Sequence, residues 1–330
     1  CDWSSDVCSS DLLFPFLDVY SLAIGVTIGG LIQLIYQYLL LPKNLLPFSK
    51  WKKDYFKSSL VMLKPMISIV VAAIALQLNV IVDRMVASFL HEGSIAALNY
   101  SYRLLWIPLS ILLIPISTIF YPKLSNAYKK RIKDSYEQLY QNGLKVMLLL
   151  ATPTMLVMIF ESSTLVQVVF ERGAFNENAT QMTTGAFYFY TLGLIFFATR
   201  EYFAQHFYIT KDYQKIMIGS VVGVTINIIG SIILSMAIGV NGIALATSLS
   251  MLFQTFYYYY FITKTINTKN IQFITKNTIA IVILSIPLIY LQRYFTLFNG
   301  FFSLLSTSTI VFGIFYLIMN REIRNLSIPS

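Results

Sequence analysis

Polar side chains that could bind a cation recur at helical spacing within apolar stretches of the sequence. Asp83 follows Asn79 by four residues inside "LNVIVDRMVASFL" (Leu78 to Leu90), so the two side chains share one face of a helix. Oxygen donors four residues apart recur in two later stretches, as Asn227 with Ser231 and as the Ile243 carbonyl with Thr247. Hard cations take several oxygen ligands, and an acid inside an apolar helix is costly unless it has partners. The spacing therefore indicates either a cation or proton site, or a hydrogen-bonded acid that holds helices together.

Two arginines in apolar stretches could bind an anion. Arg103 lies in "LNYSYRLLWIPLS", where a guanidinium can hold a phosphate through two parallel hydrogen bonds. The alternative is an ion pair between helices or a cation–π contact with Trp106. Arg200 precedes Glu201, and the two either line a charged cavity or pair locally with neighbouring helices. Both alternatives stay open for each arginine.

Motifs of soluble enzymes are missing from the sequence. It has no Gly-rich phosphate loop and no G-x-S-x-G elbow. His91 and His206 lack ligand spacing to a Cys or to each other, and we expect each in a loop or at an interface. We therefore expect neither catalysis nor a bound cofactor, apart from Na⁺ or H⁺ as a coupling ion.

The composition indicates that membrane-spanning helices position these side chains. Hydrophobic residues make up 56% of the chain and charged residues only 12%, with a mean hydropathy of +0.67. Soluble domains carry about 25% charged residues. The apolar stretches predict an all-α polytopic membrane protein with about nine spans. They cover roughly 18–41, 60–90, 95–122, 143–170, 183–209, 216–238, 241–263, 277–294 and 299–319.

Positive charge orients these spans. The segments 42–59, 123–142, 210–215, 264–276 and 320–330 hold 17 of the 24 Lys and Arg residues. Basic loops face the cytoplasm in most membrane proteins, so these segments and the C-terminus are predicted to be cytoplasmic. Short basic loops between apolar spans also argue against a nucleic-acid partner. Within the bundle, Gly219 and Gly223, like Gly25 and Gly29, permit close helix approach, while Pro108, Pro115 and Pro153 predict kinks.

The first twelve residues, "CDWSSDVCSSDL", differ from the rest of the chain. They are polar and Ser-rich and closely resemble the translation of a sequencing-library adapter, so we exclude them from the fold. Cys1 and Cys8 both lie there, which leaves no basis for a disulfide or a cysteine metal site. With no initiator Met, the chain is expected to be a fragment of a longer protein that does not transport by itself.

Several stretches resemble one membrane-protein family. "VDRMVASFLHEGSIAALNYSYRLLWIPLSILLIPISTIFYPKLSNA" (Val82 to Ala127) and "VVFERGAFNENAT" (Val168 to Thr180) are the most specific of them. "LAIGVTIGGLIQLIYQ", "FYITKD" and "GVNGIALATSLS" match further helices. The chain is identified as resembling the MurJ (MviN) lipid II flippases of the multidrug/oligosaccharidyl-lipid/polysaccharide exporter superfamily.

The resemblance implies a fold of two six-helix lobes and two final helices, of which this chain would hold helices 6–14. It places the last helix of the first lobe and a cytoplasmic linker at 13–57, the second lobe at 58–265, and two lipid-groove helices and a tail at 266–330. It implies that Arg103 binds pyrophosphate in a cavity, with Arg200 a weaker candidate. In members with a sodium site, the ligands fall on Asp83, Asn227, Ser231, Ile243 and Thr247, and Ser231 replaces an acid there.

The implied function is the movement of lipid II, an undecaprenyl-pyrophosphate-linked peptidoglycan precursor, from the inner to the outer leaflet of the bacterial cytoplasmic membrane. Alternating access would drive this movement, with membrane lipids and cell-wall synthesis proteins as further partners. Three alternatives stay open. One is a flippase for teichoic-acid, capsule or O-antigen precursors, another is a cation-coupled drug exporter, and the third is a scaffold that does not transport.

Overall fold

The computed structural model describes residues 20–40, 53–173, 175–266 and 307–313. Every regular element in these ranges is helical. The helices are α1 (Tyr20–Leu40), α2 (Lys53–Ser88), α3 (Ser94–Pro108), α4 (Ile114–Lys129), α5 (Lys133–Phe160), α6 (Ser162–Phe170), α7 (Glu177–Leu192), α8 (Leu194–Thr210), α9 (Tyr213–Ile238) and α10 (Val240–Ile262). A π-helical segment, Leu109–Leu113, joins α3 to α4, and residues 307–313 form a short helix.

Membrane-spanning length and apolar composition occur together in four helical stretches of the described residues. These are Met66–Ser88, Ser94–Lys129, Lys133–Phe160 and Tyr213–Ile238, and α7 with α8 would make a fifth. The prediction of an all-α, multi-pass membrane protein is confirmed. The count of nine spans is not confirmed, because residues 277–294 lie outside the described ranges and only 307–313 of the last span lies within them. The predicted span 241–263 forms α10, which is not among these stretches.

Two predicted spans are broken in the structure. The stretch 143–170 divides into α5 and α6 at Glu161, and 183–209 divides into α7 and α8, which bend by 44° at Gly193. At this bend the Ser248 hydroxyl of α10 donates to the Phe189 carbonyl at 2.7 Å. A Cβ at Gly193 would lie 2.6 Å from the Ser248 oxygen. Glycine therefore makes room for the hydroxyl that satisfies a carbonyl beside the break.

The predicted proline kinks have different outcomes. Pro108 ends α3 and Pro115 lies in the first turn of α4, so the irregularity between them takes the form of the π-helical segment. A proline removes a backbone donor, and a π-helical turn is one way to accommodate that loss. Pro153 instead lies inside α5, which continues to Phe160 without a break.

Small and polar residues are buried between helices, while large aliphatic residues face outward. On α9 the buried face carries Gly219, Ser220, Gly223, Asn227, Ser231 and Ser235, and the exposed face carries Ile229, Ile232, Ile233 and Met236. This arrangement is typical of helices in lipid, where small residues allow close backbone approach. A Cβ on Gly219 would meet Tyr258, and a Cβ on Gly223 would meet Gln254. The predicted close packing at these two glycines is therefore observed, with α10 as the partner helix.

The chain divides into two compact units, Cys1–Met62 and Leu63–Ser330. The predicted artefact at 1–12 lies outside the described residues, as does most of 266–330, so the domain limits derived from sequence stay predictions. All the candidate site residues belong to the second unit. Its core is aromatic, with Tyr140, Tyr202 and Tyr258 fully buried.

Candidate functional site

Asp83 is the centre of a buried polar cluster that joins α2, α9 and α10. Its Oδ1 accepts hydrogen bonds from Asn227 Nδ2 at 2.8 Å and from Ser231 Oγ at 2.9 Å. Its Oδ2 accepts from the Thr247 hydroxyl at 3.1 Å, and the same hydroxyl lies 3.1 Å from the Ile243 carbonyl. The structure thus brings together all five residues of the predicted cation site. Helical periodicity could group them only in pairs, because the convergence depends on how three helices pack.

The cluster is enclosed and contains oxygens that are still available. Asp83 is 7% exposed, while Asn227 and Ser231 are fully buried. The amide oxygens of Asn79 and Asn227 are buried and have no hydrogen-bond partner among the described residues. Buried polar atoms are normally satisfied, so these two amide oxygens are the kind of ligand atoms that a hard cation requires.

The donor set favours a monovalent ion. Asp83 supplies the single carboxylate, and the other candidate ligands are neutral oxygens. No group of three or more His, Cys, Asp or Glu side chains that could hold a metal occurs within the described ranges. One negative charge balances Na⁺ or a proton, whereas protein sites for divalent ions usually gather more carboxylates.

A cavity of about 360 Å³ lies beside this cluster. Asn79 and Thr247 form part of its wall, so the cavity adjoins the donors around Asp83. Arg200 and Glu201 also line it. The cavity therefore borders both the cluster around Asp83 and the Arg200–Glu201 pair.

Arg200 and Glu201 form an ion pair with each other. The Arg200 Nη2 atom lies 2.8 Å from Glu201 Oε2, and the arginine side chain is 14% exposed against 46% for the glutamate. The sequence left open a charged cavity or pairing with neighbouring helices, and the structure pairs the two residues with each other at the cavity wall. Because the glutamate balances the charge, Arg200 is a weaker anion ligand than an unpaired guanidinium would be.

Arg103 is exposed on α3 and does not line the 360 Å³ cavity. Its neighbours Tyr102 and Trp106 line the cavity, so the helix presents the residues beside Arg103 to the hollow. The sequence could place Arg103 in α3 but could not fix the rotation of that helix. Its assignment to a phosphate stays a prediction.

Glu161 is a buried acid that sequence reasoning missed. It lies at the break between α5 and α6, is 4% exposed, and accepts a hydrogen bond from the Thr307 hydroxyl at 2.5 Å. The signal that could have revealed it is an acid in the middle of the predicted span 143–170.

The loops of the second unit separate into two groups by charge. Residues from 125–137, 206–215 and 265–266 together line a cavity of about 760 Å³. Residues from 92–100 and 169–183, which belong to the segments with few basic residues, line another of about 700 Å³. His206 was expected in a loop or at an interface; it lies within α8, is 4% exposed and lines the first cavity, so the loop position is excluded. Segments assigned to one side by charge thus lie together, and the identity of that side stays a prediction.

Comparisons with known proteins agree on one family. Residues 10–315 match the family model described as lipid II flippase MurJ. A probable lipid II flippase MurJ of Vibrio cholerae is 31% identical over 233 residues, which cover 69% of this chain and 44% of the relative. The chain spans about half the length of the curated relatives it matches.

Solved structures show the same fold. A lipid II flippase MurJ in an inward closed conformation superposes with a TM-score of 0.76 at 25% identity, covering 97% of this chain and 67% of that one. An outward-facing multidrug resistance MATE family transporter of the MOP superfamily has a TM-score of 0.54 at 18% identity, covering 59% and 43%. The second likeness concerns the fold alone. The family match over most of the chain and the shared fold lead to one conclusion: this chain belongs to the lipid II flippase MurJ family.

Proposed function

We propose that the protein moves lipid II from the inner to the outer leaflet of the bacterial cytoplasmic membrane. The observation that carries the proposal is the family match over residues 10–315. The pyrophosphate and sugars of such a precursor cannot cross hydrocarbon unaided, because losing water around a charge is prohibitive. A transporter must therefore provide polar groups inside an apolar bundle, while the prenyl chain stays in lipid. No chemical bond changes, so no catalytic group is required.

The polar cluster around Asp83 would couple transport to a cation. A cavity of about 360 Å³ has room for an ion with its waters, or for a phosphate group, but not for a disaccharide–pentapeptide. The five converging residues and the two free amide oxygens support a Na⁺ or H⁺ site. Binding of a cation there would change the packing of α2 against α9 and α10, since each helix contributes a ligand. A membrane potential or ion gradient could then reset the transporter.

Alternating access is the mechanism that fits this architecture. Transporters of this kind rock two bundles around a site near the middle of the membrane, and they often contain broken helices. The bend at Gly193 and the break at Glu161 are such features. The two similar structures have an inward closed and an outward-facing conformation, respectively, which supports this proposal.

Arg103 is the residue we assign to the pyrophosphate. An exposed guanidinium within a membrane helix is costly unless it contacts polar groups, water or an anionic ligand. Arg200 would have a lesser role, because Glu201 already neutralises it. The end of the bundle that carries the basic loops would face the cytoplasm, and the C-terminus with it.

Depletion of the native flippase in a bacterium tests the proposal. Arg103→Ala in the intact protein should fail to restore growth and should cause lipid II to accumulate in the inner leaflet, whereas Arg103→Lys should retain part of the activity. Arg172→Ala is the matched control, since Arg172 is also exposed but lies in the loop after α6.

Each alternative predicts a different result. Normal rescue by Arg103→Ala would remove the assignment of Arg103 to the pyrophosphate and favour a scaffold. Failure of the unchanged protein to rescue would point to another polyprenyl-linked glycan. Transport of small organic cations without lipid II movement would point to a drug exporter.

A further inference from the structure

A concave site of the second unit is lined by several basic residues. The cavity of about 760 Å³ lies between the turn after α4, the turn after α8 and the end of α10. Its basic residues are Lys129, Arg131, Lys133, Lys211 and Lys215, and its acids are Glu137 and Asp212. Two turns that lie about eighty residues apart in sequence therefore direct their positive charge into one hollow.

Both acids already have a basic partner. Lys133 lies 3.9 Å from Glu137, and Lys215 lies 2.5 Å from Asp212. Lys129, Arg131 and Lys211 have no ion pair with any residue that the structure describes. Within the described ranges, three positive charges of the cavity thus have no counter-ion.

The backbone holds two of these cations in an uncommon conformation. Arg131 has a φ of 57° and Lys211 a φ of 61°, and they are the two non-glycine residues with positive φ in the described part of the chain. Side chains other than glycine, asparagine and aspartate rarely adopt this region. Arg131 follows the C-cap residue of α4 and Lys211 is the C-cap residue of α8, so both lie in turns that border the cavity.

The floor of the cavity is an ordered chain of hydrogen bonds. His206 is 4% exposed, with Nδ1 at 2.8 Å from the Tyr136 hydroxyl and Nε2 at 3.2 Å from the Thr265 hydroxyl. Thr265 in turn donates to the Ile262 carbonyl at 2.9 Å. If Tyr136 donates to Nδ1, then Nε2–H donates to Thr265 and every group is satisfied. These hydrogen bonds link α5, α8 and the end of α10, and they hold together the three segments that form the cavity floor.

We propose that this cavity binds the phosphate group of an anionic membrane lipid. Phosphate accepts several charge-assisted hydrogen bonds from Arg and Lys, and basic pockets between membrane helices are suited to lipid head groups. Tyr128 and Ile132 border the cavity and are 46% and 50% exposed, which provides an apolar surface for acyl chains beside the charges. A soluble phosphate would use the same cations without this surface. The inference does not depend on the identity of the transported substrate.

The test uses the intact protein in detergent, with lipid binding measured by native mass spectrometry. Phosphatidylglycerol is titrated against phosphatidylcholine, and inorganic phosphate is titrated separately by calorimetry. The variant is Lys129→Gln/Arg131→Gln/Lys211→Gln. The control, Lys130→Gln/Arg172→Gln/Lys264→Gln, removes the same charge from exposed residues that do not line this cavity.

We expect phosphatidylglycerol to bind in preference to phosphatidylcholine. Each removed cavity charge should weaken phosphatidylglycerol binding about fivefold, or about a hundredfold for the triple variant, and the control should bind like the unchanged protein. The charge-conserving variant Lys129→Arg/Arg131→Lys/Lys211→Arg should also bind, which shows that positive charge at these positions supports binding, and an unchanged thermal unfolding curve of the Gln variant shows that its loss is not caused by misfolding.

The lipid and soluble sources give different results. Charge-dependent binding of inorganic phosphate with no preference for phosphatidylglycerol would overturn the lipid assignment and identify a soluble phosphate site. Equal weakening in the triple variant and its control would overturn the site altogether, because it would reflect surface charge in general. Absence of binding in every titration would overturn it as well.

Discussion

Replacement of Asp83 separates the two interpretations of the buried cluster. Asp83→Asn keeps the shape of the side chain, and its oxygen can still accept from Asn227 and Ser231. Its amide can donate to the Thr247 hydroxyl, which in turn keeps the Ile243 carbonyl as acceptor. Because every donor retains a partner, we expect the free energy of unfolding without added cation to change by only about 1 kcal/mol.

Asp83→Ala should be much more damaging. It leaves the Asn227 amide and the Ser231 hydroxyl, both fully buried, without the acceptor they use. An unsatisfied buried donor costs about 1–3 kcal/mol, so two of them cost about 2–6 kcal/mol. Circular dichroism can monitor thermal or detergent-induced unfolding in choline buffer. The expected order of stability is the unchanged protein and Asp83→Asn above Asp83→Ala.

Repeating the series in sodium buffer tests the cation itself. A ligand at a hundred times its Kd stabilises the folded state by about 2.7 kcal/mol. The unchanged protein should gain stability in sodium, while both Asp83 variants should gain none. Asp134→Asn is the matched control, since Asp134 is an exposed acid in the first turn of α5. Equal stability of the two Asp83 variants, or equal sodium stabilisation of all the proteins, would refute the reasoning.

Two further changes have definite expectations. Ser231→Asp places a second carboxylate about 4 Å from Asp83, and the two charges repel by up to about 4 kcal/mol at an effective dielectric constant of about 20. The melting temperature of this variant should therefore fall in choline buffer and recover in sodium buffer. An equal melting temperature of this variant in sodium and choline buffers would argue against a cation site. Gly242→Ala places a Cβ 2.1 Å from the Leu234 carbonyl oxygen, where backbone cannot give way, and should cost about 1–3 kcal/mol. Gly30→Ala, with open space around it inside α1, should not destabilise the protein in the same unfolding assay.

The bend and break in the predicted spans show why the sequence alone was insufficient for the fold. The apolar length of 183–209 predicted a single span. In the structure the helix bends at Gly193, where the Ser248 hydroxyl of α10 binds a carbonyl of α7. Gly219 and Gly223 were correctly predicted to permit close packing, since the absence of a side chain is itself a local property. The identity of the partner helix was not local and came only from the structure.

Arg103 and Arg200 likewise separate what the sequence reveals about the candidate site from what only the structure reveals. Arg103 and Arg200 could be found as costly charges within apolar stretches, and that cost depends on composition alone. Their surroundings depend on helix rotation and on neighbouring side chains. The structure exposes Arg103 and pairs Arg200 with Glu201, a contact that helical spacing does not predict between consecutive residues.

The sequence by itself determined that this is a helical membrane protein, because hydropathy and the pattern of basic loops act residue by residue along the chain. It also supplied the residues around Asp83, in pairs one helical turn apart. Only the tertiary structure decided that three helices bring those pairs onto one carboxylate, and that two distant basic turns enclose one cavity. Contacts between segments far apart in sequence depend on helix rotation, bends and close approach, and none of these is a property of a single segment.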